Sequence, residues 1–150
     1  MNKFSIILVL TVFVLCGTLG AEDKPKVEFL NSGKILPKDL PFSEAVRVGN
    51  LLFLSGQIGN TPGSLKLVSG GIRPEAKQVM ENISTTLNAN GYTIDDLVKC
   101  TVILADISEW SAFNEVYRTF FTKHFPARTA IGASGLALAA RVEVECIASK

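Results

Sequence analysis

The stretch "EAVRVGNLLFLSGQIG", residues 44–59, decides how the rest of the chain is read. Val46 and Val48 alternate with polar neighbours, as in a strand with one face in water. Gly49-Asn50 is a tight-turn pair, and Leu51 to Leu54 are apolar at every position, as in a strand covered on both faces. The segment is therefore expected to be a β-hairpin.

Upstream, Pro25, Pro37 and Pro41 exclude helix from residues 22–41, which leaves room for one short strand at Val27 to Leu30. Downstream, Ile72, Ala76, Val79, Met80, Ile83 and Leu87 fall on one face of a helix. Pro74 suits its first turn, and Gly91 after Asn90 suits its C-terminal cap. "LVKCTVILAD", 97–106, predicts a strand with Val98, Cys100, Val102 and Leu104 on one face and Thr101, Ile103 and Ala105 on the other. A second helix is expected from about Ser108 to Pro126, with Trp110, Phe113, Tyr117, Phe120 and Phe121 as a core-facing stripe. Strands at Arg128 to Ser134 and Arg141 to Ala148 close the chain.

This order gives an α+β domain with a mixed sheet of about six strands. Two helices cannot cover both faces of such a sheet, so they are expected on one. The other face keeps Leu52 and Leu54 or their neighbours, with Ile103 and Ile147, and an uncovered apolar face predicts association. In "VEVECIA", 142–148, Val142, Val144 and Cys146 share the helix side, which sends Glu143 and Glu145 to the uncovered side.

The chain has 150 residues, enough for one domain with a core. Its start has the layout of a secretory signal peptide over residues 1–20: Lys3, an apolar run from Phe4, then small residues to Ala21. A retained anchor and lipidation at Cys16 are the alternatives, the latter disfavoured by the bulky Leu15 before it. The expected product is an exported, periplasmic or secreted single domain, residues 21–150, free of the membrane. Removing Lys3 from the fifteen basic residues leaves fourteen against fourteen acidic ones, a formal charge of zero. That balance does not point to nucleic acid.

Cys100 and Cys146 then remain, and exported proteins can join such a pair. Their places on valine-lined strand faces favour two separate buried thiols. His124 is the only histidine, and no spacing suggests a metal site. Asn82-Ile83-Ser84 spells a glycosylation sequon inside the expected first helix and is read as a chance match.

"HFPARTAIG", 124–132, places Arg128 just after Pro126 at the head of a strand. A guanidinium is seldom buried without an anion. Glu143 or Glu145 are internal candidates, and a ligand carboxylate is the external one.

Taken in order, "VGNLLFLSGQIG" (48–59), "ENISTTLNANG" (81–91), "VKCTVILADISEW" (98–110), "FNEVYRTFF" (113–121), "FPAR" (125–128) and "VEVECIA" resemble the RidA (YjgF-type) family of enamine and imine deaminases. The resemblance implies a chorismate-mutase-like fold, a homotrimer with ligand clefts between subunits, and cofactor-free hydrolysis of short 2-imino acids to 2-oxo acids and ammonia. It implies that Arg128 grips the substrate carboxylate and Glu143 positions the attacking water. Ser55, the backbone of Gly56, Asn114, Phe42 and the backbone carbonyl of Ala130 would line the cleft. Phe42 stands where many members have tyrosine, and Ala130 where some have cysteine. The loop "GASGLALAA", 132–140, is less polar than is usual there.

Structural roles stand beside each of these assignments. Arg128 can staple an interface, Glu143 can belong to a solvated face, Ser55 and Gly56 can shape a strand end, and Asn114 can bond backbone. A non-catalytic trimer that binds small carboxylates is the competing function.

Overall fold

A computed structural model describes residues 24–37 and 39–150. The expected leader, its cleavage point and Cys16 lie outside the described residues. Seven strands form one sheet: β1 (Val27–Leu30), β2 (Ala45–Val48), β3 (Leu51–Leu54), β4 (Gln57–Ile58), β5 (Leu97–Leu104), β6 (Ala127–Gly132) and β7 (Val142–Ser149). Their order is β1-β2-β3-β7-β5-β6, with β4 also paired to β7. Only β5 and β6 run parallel; the other pairs are antiparallel. Two helices, α1 (Ile72–Ala89) and α2 (Trp110–Tyr117), supply the second layer.

The hairpin forms as expected, with Val48 opposite Leu51 across Gly49, whose φ of 56° suits a residue without Cβ. Its second strand differs from the expectation. Leu52 and Leu54 are buried, but Leu51 and Phe53 remain 38% and 40% exposed, so one face alone is covered. The α1 boundaries and its cap follow the sequence signals: Asn90 donates its N–H to Leu87 O, and Gly91 takes a φ of 80°.

The core lies between the helices and one sheet face. Ala76, Val79, Met80, Ile83, Leu87, Phe113 and Tyr117 meet Leu52, Leu97, Cys100, Val102, Leu104, Val142, Val144 and Ala148. Full burial of each large apolar side chain is worth about 1.5–3 kcal/mol, and most of the fully buried apolar side chains among the described residues lie here. Val98 departs from its expected place. The ladder sets Leu97 against Ala148 and Lys99 against Ile147, a bulge that turns Val98 out to 47% exposure and puts Leu97 in the core.

A second bulge lies between β3 and β4. Phe53 pairs with Ile147 and Gln57 with Val144, so four steps on one strand match three on the other, and Ser55-Gly56 absorbs the difference.

Helix α2 is shorter than expected. It ends at Tyr117 and tightens into a 3₁₀ turn, Arg118–Phe120, because Phe121 turns back into the core with extended dihedrals. Trp110 is 44% exposed, so the aromatic stripe is only partly core. Asn82 of the sequon is fully buried and donates to the carbonyls of Ile58 (3.1 Å) and Asn60 (3.0 Å), which leaves no room for a glycan.

The expectation of separate thiols is overturned. Cys100 sits directly opposite Cys146, with Cα atoms 4.1 Å apart, and their sulfurs are bonded. The shared face was legible, but pairing also needs register, which joins these two positions alone.

Candidate functional site

Arg128, the second residue of β6, lies in register with Cys100 of β5. Neighbours in register point to the same side of a sheet, so Arg128 projects toward the helices. There its guanidinium carbon lies 4.7 Å from the Tyr117 ring centroid, 5.8 Å from Phe113 and 6.0 Å from Trp110. No carboxylate among the described residues pairs with it. The internal candidates fail for a geometric reason: β5 separates β6 from β7, and Glu143 and Glu145 project from the opposite face.

Arg128, Asn114, Tyr117, Trp110, Arg118 and Phe125 border a cleft of about 330 Å³ between α2 and β6. Asn114 makes no side-chain hydrogen bond among the described residues, so its amide is available to a ligand. Ala130, in register with Val102, packs against the core on the same side as Arg128. Its strand lies at the sheet edge, where alternate backbone groups lack a partner strand. Tyr117 is almost wholly buried, and its hydroxyl has no hydrogen-bond partner among the described residues. Burial pushes its phenol up to about 12, against the opposing pull of the Arg128 charge.

A second group gathers on the uncovered face. A Cβ placed on Gly56 would collide with Oε1 of Glu143, so the bulge brings bare backbone against that carboxylate. Glu143 is half-buried and accepts no hydrogen bond among the described residues. Burial first, and then the negative charge of Glu145, raise its carboxyl above the usual range. Ser55 is held by three bonds: its Oγ donates to Ser43 O (2.7 Å), its N–H donates to Glu44 O (3.1 Å), and its carbonyl accepts from Gln57 Nε2 (3.4 Å). Phe42 is half-exposed beside a separate hollow of about 510 Å³ that also touches Asn31, Asp39 and Glu44.

The expected site residues thus divide. Arg128, Asn114 and Ala130 share one side of the sheet; Glu143 and Gly56 share the other, with Ser55 in the same bulge. Within one chain the two groups do not meet. Tyr117, Trp110, Arg118 and Phe125 were missed by sequence reading as cleft residues. The parity of Arg128 against the α2 stripe was the available signal, hidden because aromatic stripes usually fill cores.

Among the described residues no cluster of three or more metal-ligating side chains occurs, and no helix is long and apolar enough to cross a membrane.

The family model for endoribonuclease L-PSP matches residues 35–150. A human 2-iminobutanoate/2-iminopropanoate deaminase is 44% identical over 108 residues, 72% of this chain and 79% of that protein. Among solved structures, YEO7_yeast superposes with a TM-score of 0.79 at 38% identity, covering 83% of this chain and 99% of that one. E. coli TdcF, solved with bound serine, gives 0.77 at 25% identity over 82% and 98%.

Proposed function

This chain belongs to the RidA (YjgF-type) family, whose model carries the description endoribonuclease L-PSP, and from that membership we propose that it hydrolyses short 2-imino acids to 2-oxo acids and ammonia. The observation that carries the reading is the unpaired Arg128 guanidinium, laid on Tyr117 at the wall of a cleft. Its planar fork matches a carboxylate.

Arg128 and Glu143 face opposite sides of one sheet, so a substrate on Arg128 meets Glu143 from a neighbouring copy. We propose a homotrimer for this reason, with each cleft closed by the uncovered face of the next subunit. The exposed Leu51, Phe53 and Ile131 on that face favour such a contact.

In the proposed reaction, Arg128 holds the carboxylate of the iminium form and Asn114 lines the cleft beside it. Glu143 of the neighbouring copy accepts a hydrogen bond from water and takes its proton as the oxygen bonds to the imine carbon. The C=N π electrons pass to nitrogen. Glu143 then returns the proton to that nitrogen, the C–N bond breaks, and the hydroxyl passes its proton to the departing ammonia as the carbonyl forms, so that ammonium leaves and Glu143 is again a carboxylate. Water and imine become oxo acid and ammonia, and an already electrophilic carbon needs only modest help from orientation and a base. The raised carboxyl of Glu143 brings its proton affinity nearer to neutrality, as a base that must also act as an acid requires.

The family description names an endoribonuclease, but the formal neutrality of residues 21–150 does not favour a polyanion. The bound serine of TdcF supports the competing reading, a binder of small carboxylates without turnover. Adding the protein to a serine or threonine dehydratase reaction separates the two: imine hydrolysis speeds oxo-acid release, and Arg128→Ala removes the effect. Ligand affinity without acceleration selects the binder. Export is proposed from residues 1–20, and N-terminal sequencing of the mature protein tests it.

A further inference from the structure

Gln57 opens β4 in register with Val144 of β7, so its amide enters the core on the helix side, where it is buried. It is poorly satisfied there. Its Nε2 donates to the carbonyl of Ser55 at 3.4 Å, a long bond, and its Oε1 has no partner among the described residues. The other buried amides, Asn60 and Asn82, differ. Asn60 donates to the carbonyls of Ile35 (3.2 Å) and Ser64 (2.9 Å), and its Oδ1 accepts from Asn82 at 3.3 Å. Asn82 donates to the carbonyls of Ile58 and Asn60, and its Oδ1 accepts from Gln78 at 2.9 Å. Those two are explained by the bonds they make.

Stability does not explain Gln57. A buried amide with an unmet oxygen is unfavourable, and an apolar side chain of the same shape in its place is neutral or stabilising. What the amide reaches is the bulge at Ser55-Gly56. The Ser55 N–H and Oγ tie that residue back to Glu44 and Ser43, whereas the bond from Gln57 spans Gly56 and holds the Ser55–Gly56 peptide itself. A peptide unit is planar, with C=O and N–H pointing opposite ways. A carbonyl held toward the core therefore fixes how the Gly56 backbone is presented on the other side, where it presses on the Glu143 carboxylate.

We propose that Gln57 is a positioning residue: by holding the Ser55 carbonyl it fixes the plane of the Ser55–Gly56 peptide, and with it the place of the Glu143 carboxylate on the opposite face. This rests on the imine-hydrolysis reading, in which Glu143 handles the water, and deepens it. The register partners of Glu143, Ile58 and Ile103, are apolar, and Glu145 is the charged group beside it. Burial is the first cause of its raised carboxyl, so a peptide that swings away admits water and lowers it.

Gln57→Met keeps the bulk and deletes the amide, and Gln57→Leu is the second variant. Both should melt no lower than the parent and should bind 2-oxobutanoate, which reports on Arg128, within about twofold of it. In the dehydratase-coupled assay their turnover should fall about tenfold or more, as a displaced reacting group requires. NMR of carboxyl-labelled glutamate, with the Glu143 signal assigned through Glu143→Gln, should show that group titrating at lower pH than in the parent.

Parental turnover in either folded variant, or a Glu143 titration unmoved in both, would overturn the inference. So would turnover, binding and melting temperature falling together, the mark of a residue that only supports the fold. No acceleration by the parent would overturn imine hydrolysis instead. The placing of Glu143 by Gln57 is then decided by the titration alone: a lowered midpoint supports it and an unmoved one sinks it.

Discussion

The guanidinium carbon of Arg128 lies 4.7 Å from the centre of the Tyr117 ring, and Tyr117 stands in a row of tilted aromatics, Phe113, Tyr117, Phe121 and Phe125, with successive centroids 4.7–5.5 Å apart. A long, mobile side chain is thereby fixed by a π face rather than by a carboxylate. This matters because an ion pair would consume the fork, whereas stacking leaves its N–H groups free for an incoming acid.

Removing that face should loosen the fork. Tyr117→Leu is expected to weaken carboxylate binding about tenfold, the scale of a partly desolvated cation–π contact. Tyr117→Phe should retain binding and melt no lower than the parent, because it deletes a buried hydroxyl that has no partner among the described residues. Ligand titration and melting curves on both variants check the pair.

Gly56 lies where any Cβ would strike the Glu143 carboxylate. Gly56→Ala should therefore displace that group, and turnover should fall on the order of 100-fold, the usual cost of about 1 Å of misplacement at a reacting centre. Carboxylate binding by Arg128 should change far less, so kcat and binding of a product acid are measured together.

Glu143 predicts a conflict between stability and activity. Its folded-state carboxyl is raised, so the neutral form is favoured on folding. The associated stability is present below the ordinary glutamate range, near 4.3, and is lost as pH rises through the raised folded value. Glu143→Gln should accordingly raise the melting temperature at pH 7 by about 1–3 °C, with the gain fading at pH 4, while turnover is lost. Melting curves across that range read the sign.

The Cys100–Cys146 bond closes 46 residues of sequence. The chain-entropy argument gives it about 3–4 kcal/mol of stability. Thiol titration of the protein in denaturant should find neither Cys100 nor Cys146 free until reductant is added, and the double change of these two to serine should lower the urea midpoint accordingly.

Much of this architecture was legible because hydrophobic period reports which face a side chain takes. Helix α1, the hairpin, and the outward turn of Glu143 and Glu145 all follow from period alone. What period cannot report is register. Two bulges, at Val98 and at Ser55-Gly56, shifted strands by one residue, and the pairing of Cys100 with Cys146 depends on a ladder that no local pattern encodes. The division of the site had the same origin. Arg128 and Glu143 were each placed on a strand, yet only the order β7-β5-β6 with its register shows that they face apart. Tyr117 escaped notice because burial and ligand support leave the same mark in a sequence, an aromatic at helical spacing.

The central claim is that a working site takes Arg128 from one copy and Glu143 from the next. Mixing denatured Arg128→Ala and Glu143→Gln chains in equal amounts and refolding them together tests it directly, since some interfaces then join an intact arginine to an intact glutamate. In a cyclic assembly with random mixing about one interface in four is intact, so imine hydrolysis should return to about a quarter of the parental rate. A mixed assembly no more active than its two inactive parents would contradict the account.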